Sequence, residues 1–420
     1  MARSTRSCCA SASPNRSART IMSDGNDVIV TAFARTPFGR FGGALADIFA
    51  PRLAAIAIDA VLDRTELEPM SIEALYMGVG MIASAAFTPA RQAVLLSRLR
   101  QETPSLAIDR ACCSGMSAIG LGWRDIRLGF ADAVICGGVD NLSQTPLLWP
   151  RRRNKPLGAV TAEDPLLLRS PTVDAAIAAY TSREALSHGI DRAAQDDWAA
   201  GSHERYFAAE ASGYFEAERI PLDLPGKSGN ERIASDESPR RDSSREKLAT
   251  LRTVYDSETI TAGNAPGLND GAAFLLLVSR RLADARGLPI LAEITHYGQV
   301  ADGPTSGSYT PAISIARLLA KAERPVTDLD LIEINEAFAA TPLVSTLRLA
   351  DGDVGAAEKL RARTNRHGGA VALGHPLGAS GARLAMTLVN GLTRRGGGRG
   401  AAAICGGYGQ GDALLIEVGA

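Results

Sequence analysis

Cysteine is scarce in this chain: six in 420 residues, at positions 8, 9, 112, 113, 136 and 405. None is spaced from another as metal ligands are, and so few thiols in so long a chain exclude a disulfide-built scaffold. A reduced, cytoplasmic setting with no bound metal is expected. Net charge is nearly absent. The 45 Lys and Arg against 46 Asp and Glu leave -1, which gives no electrostatic footprint for nucleic acid or an anionic membrane. Long apolar runs are missing as well, and stretches such as AAFLLLV (272–278) fall far short of the roughly 20 residues that cross a bilayer. Acid is missing from residues 1–21, MARSTRSCCASASPNRSARTI, which carry Arg and Ser. Such a composition suits a transit segment, but Met22 opens a compact MSDGNDVIV, and residues 1–21 are expected to be a disordered or non-native extension.

What is present is ordinary globular material, 45% hydrophobic and 22% charged, long enough for two or three domains. Short apolar runs alternate with helical stretches, which predicts an α/β fold. VIVTAF (28–33), SLAID (105–109), ADAVICGG (131–138), LDLIEI (329–334) and AAAICGG (401–407) read as strands. The stretch after Pro51 reads as a helix, with Leu53, Ile56, Ala57 and Ala60 on one face. Residues 144–251 are too polar and proline-rich for core strands and predict an inserted cap with a helix near 191–212. ICGG occurs at 135–138 and 404–407, and Ser-Gly at 114–115 and 380–381, each pair flanking a helical stretch. In the first copy Met116, Ile119, Trp123, Ile126 and Phe130 fall at helical spacing; in the second Ala385, Leu388, Val389 and Leu392 do so. The recurrence predicts a duplicated fold: residues 22–143 plus 252–284 as one half, 144–251 as the cap and 285–420 as the other half.

Cys112 follows a strand and begins a helix, where unpaired N–H groups favour an anion, so its thiol pKa is expected to fall toward neutrality. From position alone it reads equally as a buried small hydrophobe, and its neighbour Cys113 could be the reactive thiol instead. His375 sits between Gly374 and Pro376, held in a loop where it could accept a proton and orient a carbonyl. His367 is a weaker candidate, and His188, His203 and His296 carry no chemical signal. Asn335 ends a strand, where α/β proteins place ligands; it could donate to an oxyanion or merely cap the helix of 337–349. Cys405 ends another strand in a glycine-rich turn, with Cys136 as its core-facing counterpart.

In order along the chain, CCSG (112–115), NEAF (335–338), GHPLGASG (374–381) and CGGYGQG (405–411) resemble the thiolase family, as do ARTPFGRFGG (34–43), PARQA (89–93) and GNAPGLNDGAA (263–273). The resemblance implies a duplicated fold in layers α-β-α-β-α, with acyl-CoA and CoA as substrates, CoA as co-substrate rather than bound cofactor, and a homodimer or homotetramer. It implies that Cys112 accepts the acyl group, that His375 activates it and helps bind the thioester oxygen, and that Asn335 holds a water in that oxyanion hole. Cys405 becomes the acid and base at the α-carbon, the N–H groups of Cys112 and Gly407 a second oxyanion hole, and Arg240, Ala262 and Phe338 contacts to substrate and CoA. The chain departs from the family pattern around the substrate. Cys113 stands where glycine is usual after the nucleophile, DAAIAAYTSREAL (174–186) lacks a His-Met-Gly, PTSGSYTPA (304–312) replaces a methionine-bearing turn, Pro266 replaces a serine and His367 an asparagine. An acyl pocket unlike that of acetoacetyl-CoA enzymes is expected. The competing expectations are a ketoacyl-synthase-like condensing enzyme, a non-catalytic acyl-CoA-binding homologue and a vicinal-thiol redox protein.

Overall fold

The computed structural model describes residues 25–85, 87–149, 162–170, 172–226 and 229–419. The expectation for residues 1–21 lies outside them.

The first half contributes strands β1 (Val28–Arg35), β2 (Ala74–Gly78), β3 (Ser105–Ile108), β4 (Ala133–Asn141) and β5 (Asn269–Ser279). They lie side by side as β1-β5-β4-β2-β3, the first two pairings antiparallel and the last two parallel. Helices α1 (Ala50–Leu62), α2 (Pro89–Leu96) and α3 (Ser114–Arg127) connect them. The second half repeats the plan with β6 (Ala292–Ala301), β7 (Leu331–Ile334), β8 (Gly398–Gly406) and β9 (Gln410–Val418). Their order is β6-β9-β8-β7, again antiparallel twice and then parallel, and a parallel bridge from Ile332 to Thr364 stands where β3 stands in the first half. Val28–Val30 of β1 pair with Ala292–Ile294 of β6, so the two halves form one continuous sheet.

Alternate residues of each strand serve different layers, as the two-residue period of a strand requires. On β4, Val134 and Cys136 face a central core, while Ala133, Ile135 and Val139 face α1 and α2. On β8, Ala402 and Ile404 face the same centre, while Ala401 and Ala403 face a separate cluster with α6 (Thr310–Lys321). Side chains of α3 and of α8 (Leu377–Arg394) fill the centre. This is the expected five-layer α-β-α-β-α arrangement, and strands covered on both faces explain why they read as unbroken apolar runs. One expectation is corrected. The helix of the first copy stops at Arg127, Gly129 takes a left-handed φ of 74°, and Phe130 points outward at 77% exposure rather than continuing the buried face.

Between β4 and β5 the chain builds the cap, with α4 (Ile177–Ser187), α5 (Arg192–Ala211) and the pairing of Leu222–Gly226 with Gly229–Ile233. Asp191 caps α5 by accepting from the N–H of Ala194 at 2.8 Å. The cap is tied down by buried ions. Arg35 of β1 reaches Glu218 at 2.8 Å and Asp236 at 2.7 Å, all three side chains fully buried.

The crossing of α3 and α8 decides what the fold can do. A Cβ on Gly115 would lie 2.2 Å from the carbonyl oxygen of Gly378, and one on Gly381 would lie 2.4 Å from the amide nitrogen of Met116. Only glycine permits so close an approach. The N-termini of the two helices therefore meet at the middle of the molecule, and each is preceded by two residues by a reactive side chain, Cys112 and His375 respectively.

Candidate active site

Cys112 is carried on a strained turn. Ala111 before it has φ of 51°, and the turn is closed by Cys113 N–H to Arg110 O at 3.2 Å and Ser114 N–H to Ala111 O at 3.0 Å. The turn aims the two thiols differently. Cys113 is fully buried with its sulfur 3.5 Å from the carbonyl of Ile404, whereas Cys112 is half-buried and lines an open cavity. Cys112 is therefore the accessible thiol of the pair.

His375 Nε2 lies 3.2 Å from the Cys112 sulfur and 3.3 Å from Asn335 Nδ2. On its other side, Nδ1 lies 2.6 Å from Ser380 Oγ, and that hydroxyl donates its proton to Pro376 O at 2.9 Å. Ser380 can then only accept, so Nδ1 carries the ring proton and Nε2 is left as an acceptor facing the Cys112 S–H. The backbone of His375 is fixed in turn, its N–H donating to Asn269 Oδ1 at 2.8 Å. Asn269 donates to Gly39 O at 2.8 Å and Ser238 Oγ at 2.7 Å, joining the histidine loop to the first half and the cap.

Asn335 leaves the end of β7 with its N–H on Ala403 O at 3.0 Å. The helix after it, α7 (Ala340–Leu349), is capped by Ala339, so the capping alternative for Asn335 does not hold. Its Oδ1 is buried and has no partner among the described residues. Glu336 beside it is clamped by four donors: Trp198 Nε1 and Ser202 Oγ at 2.8 Å, Val371 N–H at 3.0 Å and Asn365 Nδ2 at 3.1 Å.

Cys405 is buried at the end of β8, and that end abuts the Cys112 turn. A Cβ on Gly406 would sit 2.8 Å from Cys113 Sγ, and one on Gly407 would sit 3.1 Å from Ala111 Cβ. Cys112, His375, Asn335, Cys405 and Gly407 are thus brought to one place. Arg240, Ala262 and Phe338 are not part of that cluster. Arg240 is exposed on the cap with its N–H on His203 Nδ1 at 3.1 Å, Ala262 is exposed, and Phe338 packs half-buried against a cluster that includes Trp198 and Leu343. His367 stacks on Tyr214 at 3.7 Å between ring centres, which accounts for it structurally, and Cys136 sits in the core.

The expected lowering of the Cys112 pKa is overturned. Burial pushes its thiol up, and the neighbouring Cys405 and Asp140 push the same way. A helix N-terminus favours a thiolate, but here desolvation and acidic neighbours outweigh it. Burial, with Arg383 acting in the same sense, pulls His375 down to about 3. Burial also pushes Cys405 up to about 12. The resting site is therefore a neutral thiol facing a neutral imidazole, with a second neutral thiol nearby.

Several site residues escaped the sequence reading. Ser380 and Asn269 lie inside quoted motifs, and a hydroxyl five residues after a loop histidine was the available signal. Asp140, just past the glycine pair of β4, accepts from Gly80 N–H at 3.0 Å, Met81 N–H at 3.1 Å and Gly378 N–H at 2.6 Å, and burial raises it to about 7. Tyr180 of α4 is buried near enough for Cys405 and Cys112 to act on its phenol, and Glu184 acts on Cys405. Glu184 accepts from Ser308 N–H at 2.7 Å, which joins the two stretches that depart most from the family pattern.

Comparison with known proteins bears on this geometry. Residues 28–281 match the family model described as "Thiolase, N-terminal domain", and residues 288–418 match "Thiolase, C-terminal domain". The chain is 37% identical to the "Probable acetyl-CoA acetyltransferase" of Mycolicibacterium smegmatis, covering 93% of this chain and 100% of that one. It is 37% identical to the "Beta-ketoadipyl-CoA thiolase" of Pseudomonas knackmussii, covering 93% and 99%. The crystal structure of human mitochondrial 3-ketoacyl-CoA thiolase superimposes with a TM-score of 0.87 at 36% identity, covering 93% of this chain and 98% of that one.

Proposed function

The chain belongs to the thiolase family and is an acyltransferase with thiolase activity, and we propose how its residues divide that work. The observation that carries the assignment is the imidazole of His375, whose Nε2 stands 3.2 Å from the Cys112 sulfur and 3.3 Å from Asn335 Nδ2. In thiolysis, Cys112 attacks the 3-keto carbonyl of a 3-ketoacyl-CoA while Nε2 of His375 takes the thiol proton. The oxyanion so formed is held by the N–H groups of Cys112 and Gly407. The carbon–carbon bond then breaks and the electron pair passes to the acetyl-CoA enolate, whose oxygen faces His375 and a water held by Asn335. Asn335 Oδ1, buried without a partner among the described residues, supports that water site. The Cys405 thiol protonates the enolate carbon. A thiol whose pKa stands at about 12 keeps its proton at neutral pH and still yields it to a far more basic carbanion. CoA then returns a proton to Cys405, its sulfur displaces the acyl group, and Cys112 recovers its proton from His375. The reverse sequence is Claisen condensation.

Arg240, Ala262 and Phe338 remain proposed CoA contacts, consistent with their place on and beside the cap. The division into 22–143 plus 252–284, 144–251 and 285–420 is likewise proposed and is open to limited proteolysis. A cytoplasmic homodimer or homotetramer acting in fatty-acid β-oxidation is the finer reading. Strand β3 supports the assembly, because it forms the open edge of the sheet with Leu106 at 49% exposure. Among the described residues no helix is long and apolar enough to cross a membrane.

Thiolysis of a small panel of 3-ketoacyl-CoA substrates tests the assignment. Activity in the natural enzyme, with losses of about 1,000-fold or more in Cys112→Ala and Cys405→Ala, is expected. Activity retained by Cys112→Ala would remove the acyl-cysteine from the reaction.

A further inference from the structure

The two N–H groups assigned above to the first oxyanion come from opposite halves of the chain, Cys112 just before α3 and Gly407 just after β8. Their mutual aim depends on two separate turns, and one side chain touches both. Gln410, the first residue of β9, accepts from Arg110 Nε at 2.9 Å through Oε1 and donates to Gly407 O at 3.2 Å through Nε2. Arginine offers only donors, so the amide can stand in no other orientation.

Each end of this bridge is fixed to the turn it serves. Arg110 lies two residues before Cys112. Its N–H donates to Ser114 Oγ at 2.8 Å, and its carbonyl accepts from Cys113 N–H at 3.2 Å. Its guanidinium also donates to Ser117 Oγ at 2.8 Å and pairs with the fully buried Asp412. Ser117 Oγ at 2.6 Å and Tyr297 OH at 2.9 Å donate to that same carboxylate. At the other end, Gly407 occupies the tip of the β8–β9 hairpin, where Gly406 pairs with Gln410 and Tyr408 and Gly409 take φ of 59° and 76°. A glycine at such a tip has a wide choice of peptide orientations, and the Gln410 amide narrows it by holding the carbonyl.

We propose that Gln410 is a positioning residue that, through Arg110, locks the N–H groups of Cys112 and Gly407 into a single oxyanion hole. The inference rests on the thiolase reading above and adds to it a residue that touches no reacting atom. Donors stabilise a developing oxyanion only if they already point at it, and a misplacement of ~1 Å costs on the order of 100-fold in rate. The effect is selective for carbonyl chemistry. Addition of the Cys112 sulfur to a thioester or ketone builds an oxyanion. Displacement of iodide from iodoacetamide builds none and needs only that sulfur and its base, His375.

The test compares the natural enzyme with Gln410→Met, which removes both bonds, and Gln410→Glu, which keeps an acceptor for Arg110 but loses the donor to Gly407 O. Thiolysis of acetoacetyl-CoA and alkylation of Cys112 by iodoacetamide are measured on each. In both variants kcat/KM for thiolysis is expected to fall by about 10- to 100-fold while the alkylation rate stays that of the natural enzyme. Full thiolysis in either variant overturns the proposal, and so does alkylation that falls in step with thiolysis, since that marks general damage to the Cys112 turn. Both results leave the thiolase reading standing. A natural enzyme that alkylates at Cys112 but performs no thiolysis overturns both. Gln410→Glu, which retains the partner of Arg110, decides the matter even if Gln410→Met does not fold.

Discussion

Replacing Ser380 by alanine removes the oxygen that accepts from Nδ1 of His375 at 2.6 Å. The residue is fully buried in the first turns of α8, so water cannot readily take its place. Leaving a buried N–H without an acceptor costs about 1–3 kcal/mol, and the ring can avoid that cost by moving its proton to Nε2. The imidazole would then face Cys112 with a donor instead of a lone pair. Moving the proton lowers the population of base-competent histidine by about 5- to 150-fold, and kcat/KM should fall by the same factor. Thermal stability should change little, because the backbone acceptor left behind, Pro376 O, already sits in the helix N-terminal turn. The readout that separates positioning from general damage is the rate of Cys112 alkylation by iodoacetamide, which should fall in step with kcat/KM while the melting temperature holds. Full activity in Ser380→Ala, or a loss of activity with unchanged alkylation, would refute the tautomer argument.

The charge state of the pair gives a second prediction. With the Cys112 thiol raised by burial and His375 lowered to about 3, Cys112 alkylation should accelerate with pH from 6 to 9 without a plateau; a plateau near neutrality would indicate a resting thiolate. Gly115→Ala places a methyl 2.2 Å from Gly378 O, and it should cost more than ~3 kcal/mol or leave no folded protein, as read by urea unfolding. Glu336→Gln turns one of the oxygens clamped by Trp198, Ser202, Asn365 and Val371 into a donor facing donors, and it should cost about 1–3 kcal/mol and lower kcat with it. His203 is held at about 4 by burial, below the ordinary value of 6.5, so the fold favours its neutral form. The unfolded chain takes up that proton first, so stability is full above pH 6.5 and drains as the pH falls toward 4. In His203→Gln the slope of unfolding free energy against pH over that window should shrink by up to ~1.4 kcal/mol per pH unit.

Much of this was legible in the sequence because it depends on local order. Strands buried on both faces must be apolar throughout, so VIVTAF and ADAVICGG were visible, and the polar stretch between them and GNAPGLNDG could only be an insertion. The repeated strand–helix–strand pattern predicted two like halves. The layered order became certain only with the pairings, and the short β1–β6 pairing that makes one sheet of two left no mark that periodicity could reveal. The cluster of Cys112, His375, Asn335 and Cys405 was legible through family motifs, whereas its protonation states were not. A thiol at a helix N-terminus looks acidic until its burial and its acidic neighbours are weighed against the helix. Likewise, CCSG could not say which thiol faces the cavity, because that follows from the left-handed Ala111. The fourfold clamp on Glu336 joins residues as far apart as 198 and 371, a distance over which pattern reading has no purchase.

The central claim is that the sulfur of residue 112, and no other, holds the acyl group. It is tested most directly by incubating the natural enzyme with acetyl-CoA, quenching in acid, and locating the acetyl group by peptide mass spectrometry. The account predicts acetylation at Cys112, removable by free CoA. An acetyl group found on Cys113 or Cys405 instead, or on no cysteine at all, would contradict it.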